Sequence, residues 1–432
     1  MIIAPILILI LLCGVPVGIA FALLVIANAE RWNIDWSVLP AVTFDTVTVF
    51  PLLAIPLFLL GGQLMGHGGL IRQLTGVCDI VIGRMRGHLG HVMVLSSAMM
   101  GAITGSSVAT VAAIGSTVGK EMIDRGYSPG YTAALNASAG LLGVLLPPSI
   151  PLILYGSIVG VSITELFTAS LMPGILMIVA FMVVHASLAR RVLPGGQEKV
   201  PAATVSSRAT SAPGVTARRS SVVIRAVPAL MLPVLVLGGI YSGVFTPTEA
   251  AAVAALYALL VTVVSRAVGM RDMEKIFLSA ALSAAAILAI IAFTSVFNRA
   301  MVLEQVPQSL AAWAITVTES PLIFLLVVNL VLLAVGMFME TNAATLLMGP
   351  LLAPTAAQFG IDPIHFGVML VINIEIGLLT PPLAANLYVA ARTVRVPILS
   401  LFRHLGWFLL ACLVMLALVT YVPELSLWYR LF

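Results

Sequence analysis

The chain has 432 residues, of which 61% are hydrophobic and 9% are charged, and its formal net charge is +4. Its mean hydropathy of +1.14 lies far above the range of a soluble globular domain, which excludes a soluble enzyme or binding module. Apolar stretches of about 17 to 25 residues recur along the chain, and helices of that length cross a bilayer. The sequence therefore predicts an all-α polytopic membrane protein.

The first half, residues 1–189, contains long apolar stretches and one pair of shorter apolar arms. The short arms lie within residues 88–120, on either side of a polar tip at Gly105-Ser106-Ser107, and they predict a re-entrant hairpin because neither arm is long enough to span. The paired proline Pro147-Pro148 predicts a helix at 128–160 that is broken near its middle. The unbroken helices predicted for this half are 2–27, 48–66 and 165–189.

Residues 190–221 form a soluble linker between the halves. This stretch is rich in Pro, Gly, Ser, Ala and Arg and shows no apolar periodicity. Its concentration of arginine predicts a cytoplasmic location, because inner loops of membrane proteins carry an excess of basic residues.

The second half, residues 222–432, begins with an extra helix at 222–243 and then follows the plan of the first half. A second pair of short arms at 320–358 surrounds the polar tip Thr341-Asn342 and predicts a second hairpin. The unbroken helices predicted here are 248–265, 276–297 and 403–422, with a broken helix at 362–391 around Pro381-Pro382.

The two halves form an internal repeat. A constant offset of 234 residues, the separation of Gly126 from Gly360, pairs identical residues on both halves. Glycine and proline fix backbone shape, so their agreement indicates repeated architecture. The other identical pairs are Pro129 with Pro363, Gly143 with Gly377, Leu145 with Leu379, and Pro147-Pro148 with Pro381-Pro382.

The charge of the loops predicts the orientation. With a cytoplasmic N-terminus, the inner loops carry most of the Lys and Arg, and the outer loops are net negative. The extra helix then reverses the second copy, so the repeat is inverted. The hairpin at 88–120 opens to the cytoplasm and the hairpin at 320–358 opens to the outside, although charge alone does not separate a hairpin from two short spans.

The polar tips and the paired prolines together predict a cation site in each half. Two successive prolines leave carbonyl groups without helical partners at membrane depth, and the tips opposite supply hydroxyl and amide oxygens. Uncharged oxygen ligands suit Na⁺ rather than a transition metal. Either feature alone fits a simple kink or helix-tying hydroxyls, but their paired occurrence favours binding. The tip ligands are Ser106, Ser107 and Thr110 in one half and Thr341, Asn342 and Thr345 in the other.

Four further polar residues at membrane depth have two readings each. Glu340 and Glu375 are functional candidates because a buried carboxylate is costly there, unless each lies near a water-filled edge or is neutralised by a proton. Asn136 and Asn386 lie on or beside the broken helices, where they either line a substrate cavity or tie helices together. We predict Asn136, Glu375 and Asn386 as substrate ligands, and no catalytic residue.

Four segments carry a resemblance to a known family. They are "TGSSVATVAAIGS", "GYSPGYTAALNASAGLLGVLLPPSIPLILYG", "FTPTEAAA" and "GIDPIHFGVMLVINIEIGLLTPPLAANLYVA". Together they resemble the large, DctM-like membrane subunit of the tripartite ATP-independent periplasmic (TRAP) transporters, within the ion-transporter superfamily of elevator carriers, over essentially the whole chain. Residues 380–387 read TPPLAANL here. The corresponding motif commonly reads TPPVGLNL in that family, so Ala384 and Ala385 replace its Gly-Leu pair.

The resemblance implies a function and a set of partners. It implies a Na⁺-driven importer of organic acids, such as C4-dicarboxylates or sugar acids, in the bacterial inner membrane. The implied partners are a periplasmic substrate-binding protein and a small four-helix membrane subunit, with no nucleic acid. By motif, it assigns Ser106, Ser107, Gly143 and Pro147 to one sodium site and Thr341, Gly377, Thr380 and Pro381 to the other.

Two other functions compete with this interpretation. One is a Na⁺/carboxylate symporter of the same fold that takes its substrate directly from solution. The other is an intramembrane enzyme, which needs a base at membrane depth; His67, His88, His91, His365 and His404 all lie near predicted interfaces and His185 near a helix end, so this alternative is the weaker one.

Overall fold

The computed structural model describes residues 15, 17–30, 37, 39–67, 69–83, 85–193, 219–266 and 268–431. Within these ranges the chain is helical and contains no strand. Seven of the described segments are long and apolar enough to cross a membrane. The predicted all-α polytopic architecture is therefore confirmed, while much of the predicted helix 2–27 and most of the linker 190–221 lie outside the described residues.

The first half contains eleven helices among its described residues. The two arms of the predicted hairpin are α5 and α6, and the predicted broken helix consists of α8, α9 and α10. The helices are α1 (Val17–Asn28), α2 (Leu39–Val47), α3 (Ala54–His67), α4 (Leu70–Ile82), α5 (His88–Thr104), α6 (Ser107–Ile114), α7 (Lys120–Asp124), α8 (Pro129–Ala139), α9 (Leu142–Leu145), α10 (Ile150–Val159) and α11 (Ile163–Val192).

The second half begins with the extra helix α12 (Arg219–Tyr241). The second hairpin consists of α16 and α17, and the second broken helix of α18 and α19. The remaining helices are α13 (Pro247–Val264), α14 (Met270–Leu303), α15 (Val306–Val317), α16 (Pro321–Phe338), α17 (Thr341–Gln358), α18 (Pro363–Gly377), α19 (Ala385–Val394) and α20 (Leu399–Tyr421).

The helix bounds of the two halves agree under the offset of 234 residues. Helices α6 and α17 begin at Ser107 and Thr341, and α8 and α18 begin at Pro129 and Pro363. Gly126 and its counterpart Gly360 both adopt a positive φ, which a residue with a side chain rarely adopts. Both paired prolines contain a cis peptide bond. The extra helix α12 has no counterpart, as the sequence predicts.

Local sequence explains where the main helices begin. Proline occupies the first turn of α8, α13, α16 and α18, where its missing N–H is not needed. The side chain of Asp362 caps α18 by accepting from the N–H groups of Ile364 at 2.8 Å and His365 at 3.2 Å. Because these start signals are local, most boundaries fall close to the sequence prediction.

One arm is longer than the sequence predicts. Helix α16 has 18 residues, and by length and composition alone it is able to cross a membrane. The helix begins directly after the Ser320 cap at Pro321 and continues to the tip, so its whole apolar run is helical. The re-entrant path of this arm remains a prediction.

The broken helices occupy the centre of the molecule. Every residue of α18 from Ile364 to Gly377 is buried, including the polar residues Asn373 and Glu375, so this helix lies inside the bundle. Peripheral helices such as α13 and α14 instead expose large apolar side chains, including Leu260 and Leu282, which suits contact with lipid. Most predicted site residues lie in this protected interior, whereas Ser106, Asn342 and Thr380 are half-buried and Pro381 is exposed.

Helices of the first half pack against helices of the second half around this centre. Helix α6 of the first hairpin packs against α19 of the second half, and α17 of the second hairpin packs against α10 of the first. Peripheral helices pair in the same way, since α3 packs against α13 and α1 against α14. This exchange brings both hairpin tips toward one central region.

Candidate functional site

The first hairpin tip is a short polar turn between α5 and α6. Gly105 ends α5 with φ of 62°, and Ser106 caps α6, its hydroxyl accepting from the N–H of Ala109 at 3.4 Å. The Thr110 hydroxyl donates to the Ser106 carbonyl at 2.9 Å and lies 3.3 Å from the Thr104 hydroxyl. The tip thus gathers several oxygens in a small volume.

The first helix break lies directly against this tip. Helix α9 ends at Leu145 and α10 begins at Ile150, as the paired proline predicts. A Cβ on Gly143 would lie only 2.6 Å from Thr110 Oγ1 and 2.7 Å from the Ser106 carbonyl oxygen. The N–H of Ile150 donates to the Gly105 carbonyl at 3.4 Å. The structure therefore brings Ser106, Thr110 and Gly143 together.

The second hairpin tip is capped by a carboxylate. Glu340 is the counterpart of Ser106 in the second repeat. Its carboxylate accepts from the N–H groups of Asn342 at 3.0 Å and Ala343 at 3.4 Å, and from Asn342 Nδ2 at 2.7 Å. Asn342 Oδ1 and Thr345 Oγ1 are buried without a hydrogen-bond partner. Buried polar atoms normally have a partner, so these two oxygens are free to bind a ligand. A cation at this tip would need such free oxygens.

The second helix break repeats the first. Helix α18 ends at Gly377, and the Thr380 hydroxyl donates to the Gly377 carbonyl at 2.7 Å. A Cβ on Gly377 would lie 2.6 Å from backbone carbons of Gly336 on α16, so glycine allows the two backbones to touch. The N–H of Leu383 donates to the Met337 carbonyl at 2.9 Å. This bond joins the second helix break to the end of the hairpin arm α16. Pro381 lies within the break, between Gly377 and Leu383.

Glu375 lies between the two tips. Its side chain is 1% exposed, and its Oε1 accepts from the Thr341 hydroxyl at 2.7 Å. The Ser107 side chain, from the first half, lies near the same carboxylate. Oε2 has no hydrogen-bond partner. The sequence identifies Glu375 as a candidate but does not show that it accepts a hydrogen bond from the second tip.

The two predicted asparagines differ in their surroundings. Asn136 Nδ2 donates to the Val111 carbonyl at 2.9 Å, so this side chain ties α8 to α6, while its Oδ1 has no partner. The Asn386 side chain is buried in the first turn of α19, and neither its oxygen nor its nitrogen has a partner. Asn386 is therefore the one with free polar atoms on both sides of its amide.

A buried polar network behind the second site was not predicted. Asn373 Nδ2 donates to Asn329 Oδ1 at 2.6 Å, and Asn329 Nδ2 donates to the Thr420 hydroxyl at 2.9 Å. These bonds join α16, α18 and α20 close to Glu375. The sequence signal for this network was an asparagine within an otherwise apolar run, at Asn329 in α16 and at Asn373 in α18. The network fixes the rotation of α18 about its axis.

A family model decides the identification. The model for the DctM component of tripartite ATP-independent periplasmic transporters matches residues 5–425. The chain belongs to this family. The permease is 40% identical over 386 residues to the C4-dicarboxylate TRAP transporter large permease protein DctM of Pseudomonas aeruginosa, a match that covers 89% of this chain and 87% of that protein. It is 34% identical over 423 residues to the sialic acid TRAP transporter large permease protein SiaM of Vibrio cholerae, covering 96% and 95%.

A solved structure shares the fold of the permease. The YdaH transporter of Alcanivorax borkumensis superimposes with a TM-score of 0.58 at 16% sequence identity, over 92% of this chain and 90% of that one. Since the sequence identity is low, this likeness supports the fold alone.

Membership of the family decides two of the open questions. The permease is an integral membrane transporter with several spans, which is consistent with the bacterial inner membrane, and it is not an enzyme. Large permeases of TRAP transporters in general act with a small membrane subunit and a periplasmic binding protein.

Proposed function

We propose that the permease imports small organic acids by coupling their entry to Na⁺. The relatives named above carry C4-dicarboxylates and sialic acid, and both are carboxylates. We further propose that a periplasmic substrate-binding protein delivers the substrate, that a small four-helix subunit completes the scaffold, and that the N-terminus lies in the cytoplasm.

The observation that carries this proposal is the pairing of each polar tip with a helix break. The tips present hydroxyl, amide and main-chain oxygens in a buried region, and Asn342 Oδ1, Thr345 Oγ1 and Glu375 Oε2 lack hydrogen-bond partners. Hard oxygen donors of this kind suit an alkali cation, and broken helices in repeats are the recurrent sites of ions and substrates in secondary transporters.

The same geometry favours an elevator movement. Each site consists of a hairpin and a broken helix, which touch through backbone contacts at Gly143 and Gly377. Sliding these pieces apart would break both sites, whereas carrying them as one body keeps the contacts. We propose that α3 and α14, with α4 and α15 after them, form the scaffold. The cations offset the cost of moving the polar tips through hydrocarbon.

The driving force available to such a carrier is large. Each net positive charge that moves inward gains about 2.3 kcal/mol at 100 mV. A difference of 1.4 kcal/mol is about a factor of ten in concentration. One coupled charge is therefore enough to sustain strong accumulation of a dilute substrate.

Uptake into proteoliposomes tests the proposal. We expect accumulation of a radiolabelled C4-dicarboxylate when an inward Na⁺ gradient and the cognate binding protein are both present. Equal uptake after choline replaces Na⁺ would refute sodium coupling. Equal uptake without the binding protein would instead favour the symporter that takes its substrate from solution.

A further inference from the structure

A proline inside the second hairpin leaves one main-chain carbonyl without its usual helical donor. Pro350 lies within α17 and has no N–H, so the carbonyl of Leu346, four residues earlier, lacks its normal hydrogen bond within the helix. Lipid supplies no donor to such a group. Leu346 is also only 1% exposed, so the donor has to come from another part of the protein.

A helix of the proposed scaffold supplies this donor. Asn298, a half-buried residue on α14, donates from Nδ2 to the Leu346 carbonyl oxygen at 2.9 Å. The Thr355 hydroxyl of α17 also donates to the Pro307 carbonyl of α15, but that distance is 3.5 Å. The Asn298 bond is therefore the stronger of these two connections between the hairpin and the proposed scaffold.

The bonded carbonyl lies close to the second hairpin tip. Leu346 directly follows Thr345, and Thr341 begins α17 about one and a half turns earlier. A helix is stiff over this distance, so fixing the position of Leu346 also fixes the position of the tip. Asn298 thus holds the predicted ligands of the second site at a defined height along α14.

The first repeat has no equivalent of this connection. Under the offset of 234 residues, the counterpart of Asn298 is Leu64 and the counterpart of Pro350 is Ser116. The Leu64 side chain has no donor, and Ser116 has the N–H that Pro350 lacks. The two differences occur together, as expected if the asparagine compensates for the proline. The connection is therefore specific to the second hairpin.

We propose that Asn298 is a positioning residue that holds the second hairpin against the scaffold and has to release it during transport. The inference rests on the elevator movement proposed above, in which α17 moves relative to α14. Such a movement separates Asn298 from Leu346 and leaves a buried carbonyl without its donor, which is costly. The hydrogen bond therefore favours the conformation seen in the structure over the others in the transport cycle.

The ratio of the conformations tests this role. Spin labels on Glu304→Cys, after α14, and Gln358→Cys, at the end of α17, occupy exposed positions. Once the native cysteines are replaced, pulsed electron paramagnetic resonance in nanodiscs measures the separation of the two labels. In Asn298→Leu we expect the population of the conformation seen in the structure, relative to the others, to fall about threefold to tenfold, the effect of one net hydrogen bond. Ser295→Ala is the matched control, because Ser295 bonds to Ala292 within α14, and it should leave the ratio unchanged.

The variant Pro350→Ala separates this role from general packing. Alanine restores an N–H that bonds to the Leu346 carbonyl within the helix, so the carbonyl keeps a donor when the hairpin moves. In this background Asn298→Leu should change the ratio by a smaller factor than it does in the presence of Pro350.

The possible outcomes separate this inference from the movement on which it rests. A ratio that does not respond to Asn298→Leu, or that changes by the same factor in both backgrounds, would refute the role of Asn298. If Asn298→Leu does not fold, Asn298→Ser, whose side chain is too short to reach Leu346, gives the same comparison. A single label separation in the otherwise unsubstituted permease, with and without Na⁺ and the organic acid, would instead refute the elevator movement itself.

Discussion

Gly143 and Gly377 determine, at the residue scale, how closely each helix break approaches its hairpin. Each is a position where a single methyl group has no space, because polar or backbone atoms lie less than 3 Å from the place of a Cβ. The two residues are equivalent in the repeats. In the proposed sodium sites, their role is to bring carbonyl and hydroxyl oxygens within reach of a bound ion.

The variant Gly143→Ala tests this role. Its Cβ would lie 2.6 Å from Thr110 Oγ1, so the tip must move away, and we expect the Na⁺ concentration for half-maximal uptake to rise by about tenfold or more. Gly406→Ala on α20 is the matched control, since no atom lies within 4 Å of its Cβ. That variant should keep its Na⁺ response and gain about 0.5 to 1 kcal/mol of helix stability. Identical Na⁺ responses for both variants would contradict the assignment.

The helices form two groups at the scale of elements. Hairpins and broken helices pack in the centre, and α1, α3, α13 and α14 pack against one another at the side. The groups meet where Gly62 on α3 faces Thr104 at the end of α5, and a Cβ on Gly62 would lie 3.5 Å from the Thr104 Cβ. A disulfide between these positions would join the proposed scaffold to the proposed moving unit.

We expect the double variant Gly62→Cys and Thr104→Cys to lose transport when it is oxidised and to regain transport when it is reduced. The Cβ separation lies within the range that disulfides adopt, and native cysteines are replaced beforehand. The neighbouring pair Gly61→Cys and Ala255→Cys, which joins α3 to α13 within the group of helices at the side, is the control and should transport in both states. Undiminished uptake by the oxidised first pair would contradict the elevator movement.

The sequence predicted the elements better than the contacts between them. Paired prolines, glycines and capping residues act locally, so the breaks, the tips and the repeat were readable. The hydrogen bond between Glu375 and Thr341 joins residues that are 34 positions apart in sequence, and no local pattern reports such a contact. The length of α16 was underestimated because its apolar run carries no internal stop signal.

At the scale of the whole molecule, the C-terminus joins the two repeats. Arg430 pairs with Glu165 at the start of α11 at 2.9 Å and with Asp362 before α18 at 2.7 Å. Partial burial opposes ionisation of Asp362, but hydrogen bonds from Arg430 and from the main chain of residues 364 and 365 outweigh it, so the pKa of Asp362 lies below its usual value. This cluster connects the start of α11 in the first half with the start of α18 in the second half.

We expect Arg430→Ala to lower the free energy of unfolding by about 1 kcal/mol or less at neutral pH, because the pair is partly exposed to solvent. A carboxylate whose pKa is lowered by folding stabilises the folded state above its unfolded pKa, and this contribution disappears as the pH falls through the folded pKa. The difference between the variant and the wild type should therefore shrink in acid. A difference that stays constant between neutral pH and pH ~3 would contradict the ionic account.

The proposed orientation of the whole chain rests on the basic linker. We expect a cysteine introduced by Ser207→Cys, which lies outside the described residues, to be protected from a membrane-impermeant maleimide in intact cells and labelled after lysis. The reason is the excess of Lys and Arg in residues 190–225. Labelling in intact cells would reverse the orientation of both hairpins.

The central claim is that cations bound at the paired tips enter together with the substrate. Substrate-dependent influx of radioactive sodium into proteoliposomes tests it most directly. We expect sodium entry that requires the permease, the binding protein and the organic acid together. Uptake of the organic acid at its full rate without any accompanying sodium entry would contradict it.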